Sequence, residues 1–393
     1  MKPSATQSFS KLIANRKVVV CVGSGGVGKT TTSAVIALHA AIEGRKVLVL
    51  TIDPARRLAN SLGVTELGND IQQIPLDQFR QIGLEPKGEL WAMMLDMKLS
   101  FDHLVATYAP DAKTRDEILD NRFYQYFSTS LAGTQEYAAS ERLHELYMRK
   151  EFDLIVLDTP PTSHALDFLE APNRLADAVS GKALQWMYKP GAMTGRSGLG
   201  LFSVGTSYVI KTLGRFTGAQ LLNDLSVFLR TFSTLFEGFE QRARKVQSLL
   251  LSDKTAFVVV TAPDTLTIEE ALYFYERLGT SRLHVGGFVV NRVHPMWVSA
   301  ARLDAPAEQL SAELQALAKD LPAPAEAIDF DALASRLLEN AVQFQLRATQ
   351  DEHSIALLDE ELPGQTPVVT VPYFSLDIHS LEGLDQARRA LFE

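Results

Sequence analysis

The sequence predicts an α/β fold: a doubly wound, mostly parallel sheet with an inserted helical subdomain. Three observations carry that prediction. Short β-branched runs recur along the chain with helical periodicity between several of them, the pattern of buried parallel strands. A glycine-rich loop separates the first run from an Ala-rich stretch bearing Ala34, Ala37, Ala40 and Ala41. Two long intervals, from Ile52 to Leu154 and from Asp158 to Thr255, hold little strand pattern and much helical pattern.

In chain order, Lys17–Val22 and Lys46–Ile52 read as the first two strands, each followed by loop chemistry and not by a hairpin partner. Leu90–Leu95 reads as a short strand within the first interval, and Phe123–Arg149 as helical. Leu154–Leu157 is the next strand. In the second interval Ala183–Tyr188 and Leu221–Phe239 read as helical. Leu221, Leu225, Phe228, Phe232, Leu235 and Phe239 step by four and three along one face. Gly191–Gly205, rich in Gly and Ser, reads as a loop. Ala256–Val260, Val285–Val290 and Pro367–Val371 complete the strands, and Ala305–Ala327 reads as a surface helix flanked by loops. No internal repeat is present. The expected division is residues 1–62 with 151–172 and 254–393 in the sheet domain, and 63–150 with 173–253 in the helical subdomain.

Composition bounds the function. The 393 residues are 46% hydrophobic and 22% charged, enough for a sizeable core. The net charge of −9 and the pI near 5.5 argue against a nucleic-acid partner, which calls for a basic face. Met1–Lys17 lacks the apolar core of a secretory signal, and no stretch reaches the length of a membrane span, so a cytoplasmic protein without an integral membrane segment is expected. Cys21, the one cysteine, permits no intrachain disulfide and no thiolate-pair metal site; within the first strand it reads as a buried small hydrophobe.

The loop after the first strand carries the chemistry. Gly23-Ser24-Gly25-Gly26-Val27-Gly28-Lys29-Thr30-Thr31 satisfies G-x-x-x-x-G-K-[ST], with strand before it and helix after. Glycines at 23, 25, 26 and 28 let the backbone N–H groups turn toward a phosphate at the helix N-terminus. Lys29 reaches the β- and γ-phosphates of a nucleoside triphosphate, and the Thr30 hydroxyl ligates Mg²⁺. Leu154-Ile155-Val156-Leu157-Asp158 has the form of a strand ending in the carboxylate that holds Mg²⁺ opposite Thr30. Asp53, after the second strand, is a candidate for positioning the attacking water. An aspartate after a strand is also a common helix cap; two of them beside an intact phosphate loop favour the functional reading.

The order of motifs resembles the ArsA-like ATPases, a family that also contains the ATPases targeting tail-anchored membrane proteins, among the deviant-Walker dimeric ATPases related to MinD- and ParA-like proteins. Thr51-Ile52-Asp53-Pro54-Ala55-Arg56-Arg57-Leu58 resembles the family's switch I, and Asp158-Thr159-Pro160-Pro161-Thr162-Ser163-His164-Ala165-Leu166-Asp167-Phe168-Leu169 its switch II. The resemblance implies ATP and Mg²⁺ as cofactors, Asp53 as the water-orienting residue with Lys29 on the phosphates, and a homodimer. It further implies adenine recognition by Asn291 and by the loop Pro372-Tyr373-Phe374. Three features depart from the family. Ser24 stands where an early lysine crosses the dimer to the partner's phosphate. No C-x-x-C follows Asn291, and no cysteine set is present for arsenite.

The expected function is therefore a Mg²⁺-dependent ATPase, a nucleotide-driven conformational switch handling an apolar helical client; the alternative is a slow nucleotide switch or scaffold regulating a partner, as in MinD- and ParA-like proteins. Trp91, Met93, Met94 and Met97 suit either an adaptable apolar face or plain core packing. His164 reads as structural or switch-related in preference to a general base. Arg56 and Arg57 stand either as a replacement for the missing lysine charge or as ordinary surface cations.

Overall fold

Val18–Val22 (β1) consists of five buried residues, and their alternation decides the layering. Val18, Val20 and Val22 join the core on one face of the sheet, Val19 and Cys21 the core on the other. Both faces must therefore be covered, as in doubly wound folds. The computed structural model describes residues 4–52, 57–64, 67–130, 134–159, 236–297, 303, 306–318, 328–364 and 366–393.

The other strands are Lys46–Thr51 (β2), Gln72–Gln73 (β3), Glu89–Met94 (β4), Leu154–Asp158 (β5), Thr255–Thr261 (β6), Val285–Val293 (β7) and Val368–Pro372 (β8). They form one sheet in the order β3-β4-β2-β5-β1-β6-β7-β8. Every pairing is parallel except β3 with β4. The register places Cys21 opposite Asp158, and Asp158 opposite Thr51, so β1, β2 and β5 end at one level. β1 and β5 are central neighbours, and the glycine loop leaves the sheet at its carboxyl edge, where open α/β sheets bind ligands.

One face is covered by Ala5–Ala14 (α1), Lys29–Ile42 (α2), Arg57–Ser61 (α3), Leu76–Gln81 (α4) and, at the end of the chain, Leu381–Phe392. Small side chains at Ala34, Ala37, Ala40 and Ala41 let α2 lie close to the strands. Ser4 caps α1 in a reciprocal capping box with Gln7. The opposite face carries Met97–Tyr108 (α5), Ala112–Leu119 (α6), Arg122–Ser130 (α7), Thr134–Arg149 (α8), Phe236–Leu250 (α9) and Thr265–Thr280 (α10). Ala307–Ala318 (α11) packs on the long helix Phe330–Glu361 (α12), and Leu381–Phe392 is α13.

Several expectations are sharpened. In the run Phe123–Arg149 the described residues form two helices, α7 and α8; residues 131–133 lie outside the described residues. The strand expected at Leu90–Leu95 is β4, and with β3 it extends the main sheet, although both fall within the interval 63–150 assigned to helices. Met93 on β4 is fully buried, while Trp91 and Met94 are half-buried against the two cores, so core packing accounts for these three; the Met97 side chain lies outside the described residues. The surface helix expected over Ala305–Ala327 occurs as α11. The 32-residue α12 was not assigned from sequence. The stripe Leu221–Phe239, except its last four residues, lies outside the described residues, as do Ala183–Tyr188 and Gly191–Gly205.

Candidate nucleotide site

The loop from Gly23 to Gly28 is closed by two glycines that no other residue can replace without displacement. Gly28 is the N-cap of α2 in the left-handed region at φ 101°, and a Cβ there would run into the Asn291 side-chain amide. At Gly23, φ is 148°, and a Cβ would overlap the Val260 carbonyl at the end of β6. Both positions demand glycine on conformation and on space. The loop is thereby pressed between α2 and the carboxyl ends of β6 and β7. Asn291 completes the contact by donating its Nδ2 to the Val27 carbonyl at 2.9 Å.

Lys29, only 7% exposed, donates its Nζ to the Ser24 carbonyl at 2.7 Å, which lays the ammonium across its own loop. Asp158, fully buried at the end of β5, accepts from the Thr30 hydroxyl at 2.7 Å and from the Thr51 hydroxyl at 2.8 Å, both on Oδ2. Three elements thus converge on one carboxylate: the first turn of α2, the end of β2 and the end of β5. The glycine cradle, the held ammonium and the hydroxyl–carboxylate pair fit a triphosphate with Mg²⁺, whose preference is for oxygen donors. Thr159 extends the arrangement by donating its hydroxyl to the Cys21 carbonyl at 2.8 Å. Burial, aided by the nearby Asp158 charge, pushes the Cys21 thiol up to about 12, so it behaves as the inert hydrophobe its position implied.

The structure also brings the predicted late-strand residues to this edge. Asn291 is buried beneath the loop, and Tyr373, just after β8, donates its backbone N–H to the Val293 carbonyl at 2.8 Å. Tyr373 is 48% exposed, whereas Phe374 packs on the core. Ser24 turns its hydroxyl to the Glu270 carboxylate on α10. Asp53 and Arg56 lie outside the described residues, as does His164; Arg57 opens α3 and is exposed. Sequence reasoning missed Thr51 as a support for Asp158, although its place two residues before Asp53 is a usable signal. It missed Glu270 as well, for which the sequence carries no local signal.

Comparison with known families decides the identity: residues 16–318 match the anion-transporting ATPase (ArsA) family. The chain belongs to that family. Its curated relatives carry the same activity in their names. It is 26% identical to the ATPase get3 of Schizosaccharomyces pombe over 272 residues, covering 69% of this chain and 71% of the relative. It is 27% identical to an ATPase ASNA1 homolog of Cryptosporidium parvum over 303 residues, covering 75% and 69%. With the ATPase ARSA1 of Chlamydomonas reinhardtii it shares 26% identity, over 71% of this chain and 35% of that protein. This ArsA-family chain is an ATPase that hydrolyses ATP, and the alternative of a regulatory switch or scaffold is not favoured. Among its described residues no helix is long and apolar enough to cross a membrane.

Proposed function

We propose that this ArsA-family ATPase is Mg²⁺-dependent, cytoplasmic and homodimeric, and that nucleotide state sets the position of its helical layer relative to the sheet. The convergence of Thr30 and Thr51 on the buried Asp158 is the observation that carries the metal reading. In this reading Gly23, Ser24, Gly25, Gly26, Val27, Gly28, Thr30 and Thr31 wrap the phosphates with their backbone N–H groups, and Lys29 supplies a fixed positive charge. Thr30 and Asp158 hold Mg²⁺, which when bound neutralises charge on the transferred phosphoryl group. Asp53 orients the attacking water, and Asn291 with Pro372, Tyr373 and Phe374 receives the base.

The moving body is α5–α8 of the interval 63–150 together with 173–253. The sheet domain comprises 1–62, 151–172 and 254–393, joined by β3, α4 and β4 from the interval 63–150. Support for a client-handling role comes from the resemblance to ATPases that target tail-anchored membrane proteins, and the client is an apolar helix. Nucleic acid is not a partner, in keeping with the net charge of −9. The test is phosphate release and fluorescent-ATP binding with and without Mg²⁺, for wild type, Asp53→Asn and Asp158→Asn. The expected outcome for Asp53→Asn is unchanged affinity with turnover at least ~10²-fold lower, the smaller end of an acid/base or positioning contribution. Asp158→Asn is expected to lose the Mg²⁺ dependence of binding. Wild-type turnover in both variants defeats the assignment.

A further inference from the structure

Behind the Tyr373 ring stands an arrangement that the phosphate chemistry leaves unused. The His294 imidazole stacks on Tyr373 with centroids 5.1 Å apart and planes 15° from parallel. Asp351, buried on α12, accepts two bonds on Oδ2: one from the His294 backbone N–H at 2.7 Å and one from the His294 ring at Nδ1, 2.8 Å away. A carboxylate oxygen accepts only, so Nδ1 carries the hydrogen and the ring plane is fixed. Residue 294 follows directly on the end of β7, three residues past Asn291, which touches the phosphate loop. Tyr373 follows β8, the next strand outward, and the Tyr373 N–H to Val293 carbonyl bond ties the two strand ends together.

A buried carboxylate that fixes one ring, which in turn backs a half-exposed second ring, is costly to build for packing alone. Burying a charged group is repaid only when its hydrogen bonds are well made. We propose that Tyr373 is the stacking surface for the nucleobase and that His294 and Asp351 are its positioning residues, so that α12 holds the base platform in place. This rests on the reading that the loop after β8 receives the base, and it deepens that reading by adding two residues and a helix to the site.

The experiment compares affinity for ATP with affinity for inorganic tripolyphosphate, which fills the phosphate loop and has no base. His294→Ala and Asp351→Leu are expected to weaken ATP about tenfold, what the loss of one base–aromatic stack costs, while tripolyphosphate affinity stays at wild type. His294→Phe keeps a ring behind Tyr373 and Asp351→Asn keeps an acceptor, so both should restore most of the ATP affinity. A purely structural role would move both ligands together or neither. Tyr373→Ala separates the failures. If it weakens ATP selectively while His294→Ala and Asp351→Leu do not, the base loop stands and the buttress is wrong. If Tyr373→Ala leaves the ratio of the two affinities unchanged, the base-loop reading and the buttress both fall. Equal loss of both ligands in His294→Ala and Asp351→Leu, with no rescue by the conservative variants, also overturns the buttress.

Discussion

Gly28 shows how far a single residue constrains this site. Its left-handed backbone and its contact with Asn291 are separate demands, and a methyl group violates both. Gly28→Ala is expected to cost about 1–3 kcal/mol from the backbone alone, and more from the overlap. Urea unfolding of Gly28→Ala, Asn291→Ala and the double variant measures the split: truncating Asn291 should relieve the overlap and leave the backbone cost. Additive losses in the double variant would show that the amide is not what Gly28 makes room for. Cys21 supports a second prediction. A buried thiol held near 12 has almost no thiolate at neutral pH, so a thiol reagent should label it only as fast as the chain unfolds. Labelling of the native protein at the rate of a free thiol would refute the burial. At this scale the sequence was legible where chemistry is local. The phosphate loop is contiguous, and Asp158 ends an apolar strand. Thr51 and Asp158 are separated by 107 residues, His294 and Asp351 by 57, and Ser24 and Glu270 by 246, so their meeting is a product of topology that no spacing rule reveals.

Elements were legible in proportion to their regularity. β1, β2, β5 and β6 are continuous apolar runs because both of their faces are buried, and such runs announce themselves. α12 does not, because its two halves live in different surroundings. Ala348, Asp351, Ser354 and Leu358 in its C-terminal half are buried, whereas in its N-terminal half Ala334 is buried but Leu333, Leu337 and Phe344 are exposed, so no single apolar stripe runs its length. The same split yields a prediction within one helix. Leu358→Ala removes a fully buried side chain from the core and should cost about 2–5 kcal/mol. Leu337→Ala, 42% exposed, should fall within about 0.5 kcal/mol of wild type. Unfolding midpoints of the two variants test this, and equal losses would mean that the N-terminal half of α12 is covered in solution. The capping box of α1 was also there to be found, since Ser4 and Gln7 stand three apart ahead of an amphipathic run.

Across the whole molecule the sheet is held by two cores, and histidines sit in the layers on both sides. His39 on α2 stacks on Phe392 of α13 at 3.7 Å, and its Nδ1 is buried with no hydrogen-bond partner among the described residues. Burial holds its pKa below 6.5; Arg388 adds to this, and Glu43 and Glu393 oppose it. His144 on α8 is lowered by burial and then by Lys245 and Arg242, and His284, just ahead of β7, by burial and then by Arg16. All three shifts share one sign. The unfolded chain takes up protons near 6.5, while the folded chain resists doing so until the pH is lower. Between those values the unfolded state binds more protons, so stability rises with pH. The contribution is therefore complete above about 6.5, the ordinary histidine value, and is lost as the pH falls toward the folded values. The expected result is a urea midpoint lower at acidic pH than at neutral pH, with most of the change just below the ordinary histidine range. Replacing His39, His144 and His284 together by Gln removes the groups that would have to charge, so the triple variant should show a flatter profile in that window. If its slope equals that of wild type, the acid sensitivity of this fold arises from its carboxylates and not from neutral histidines locked into its two layers.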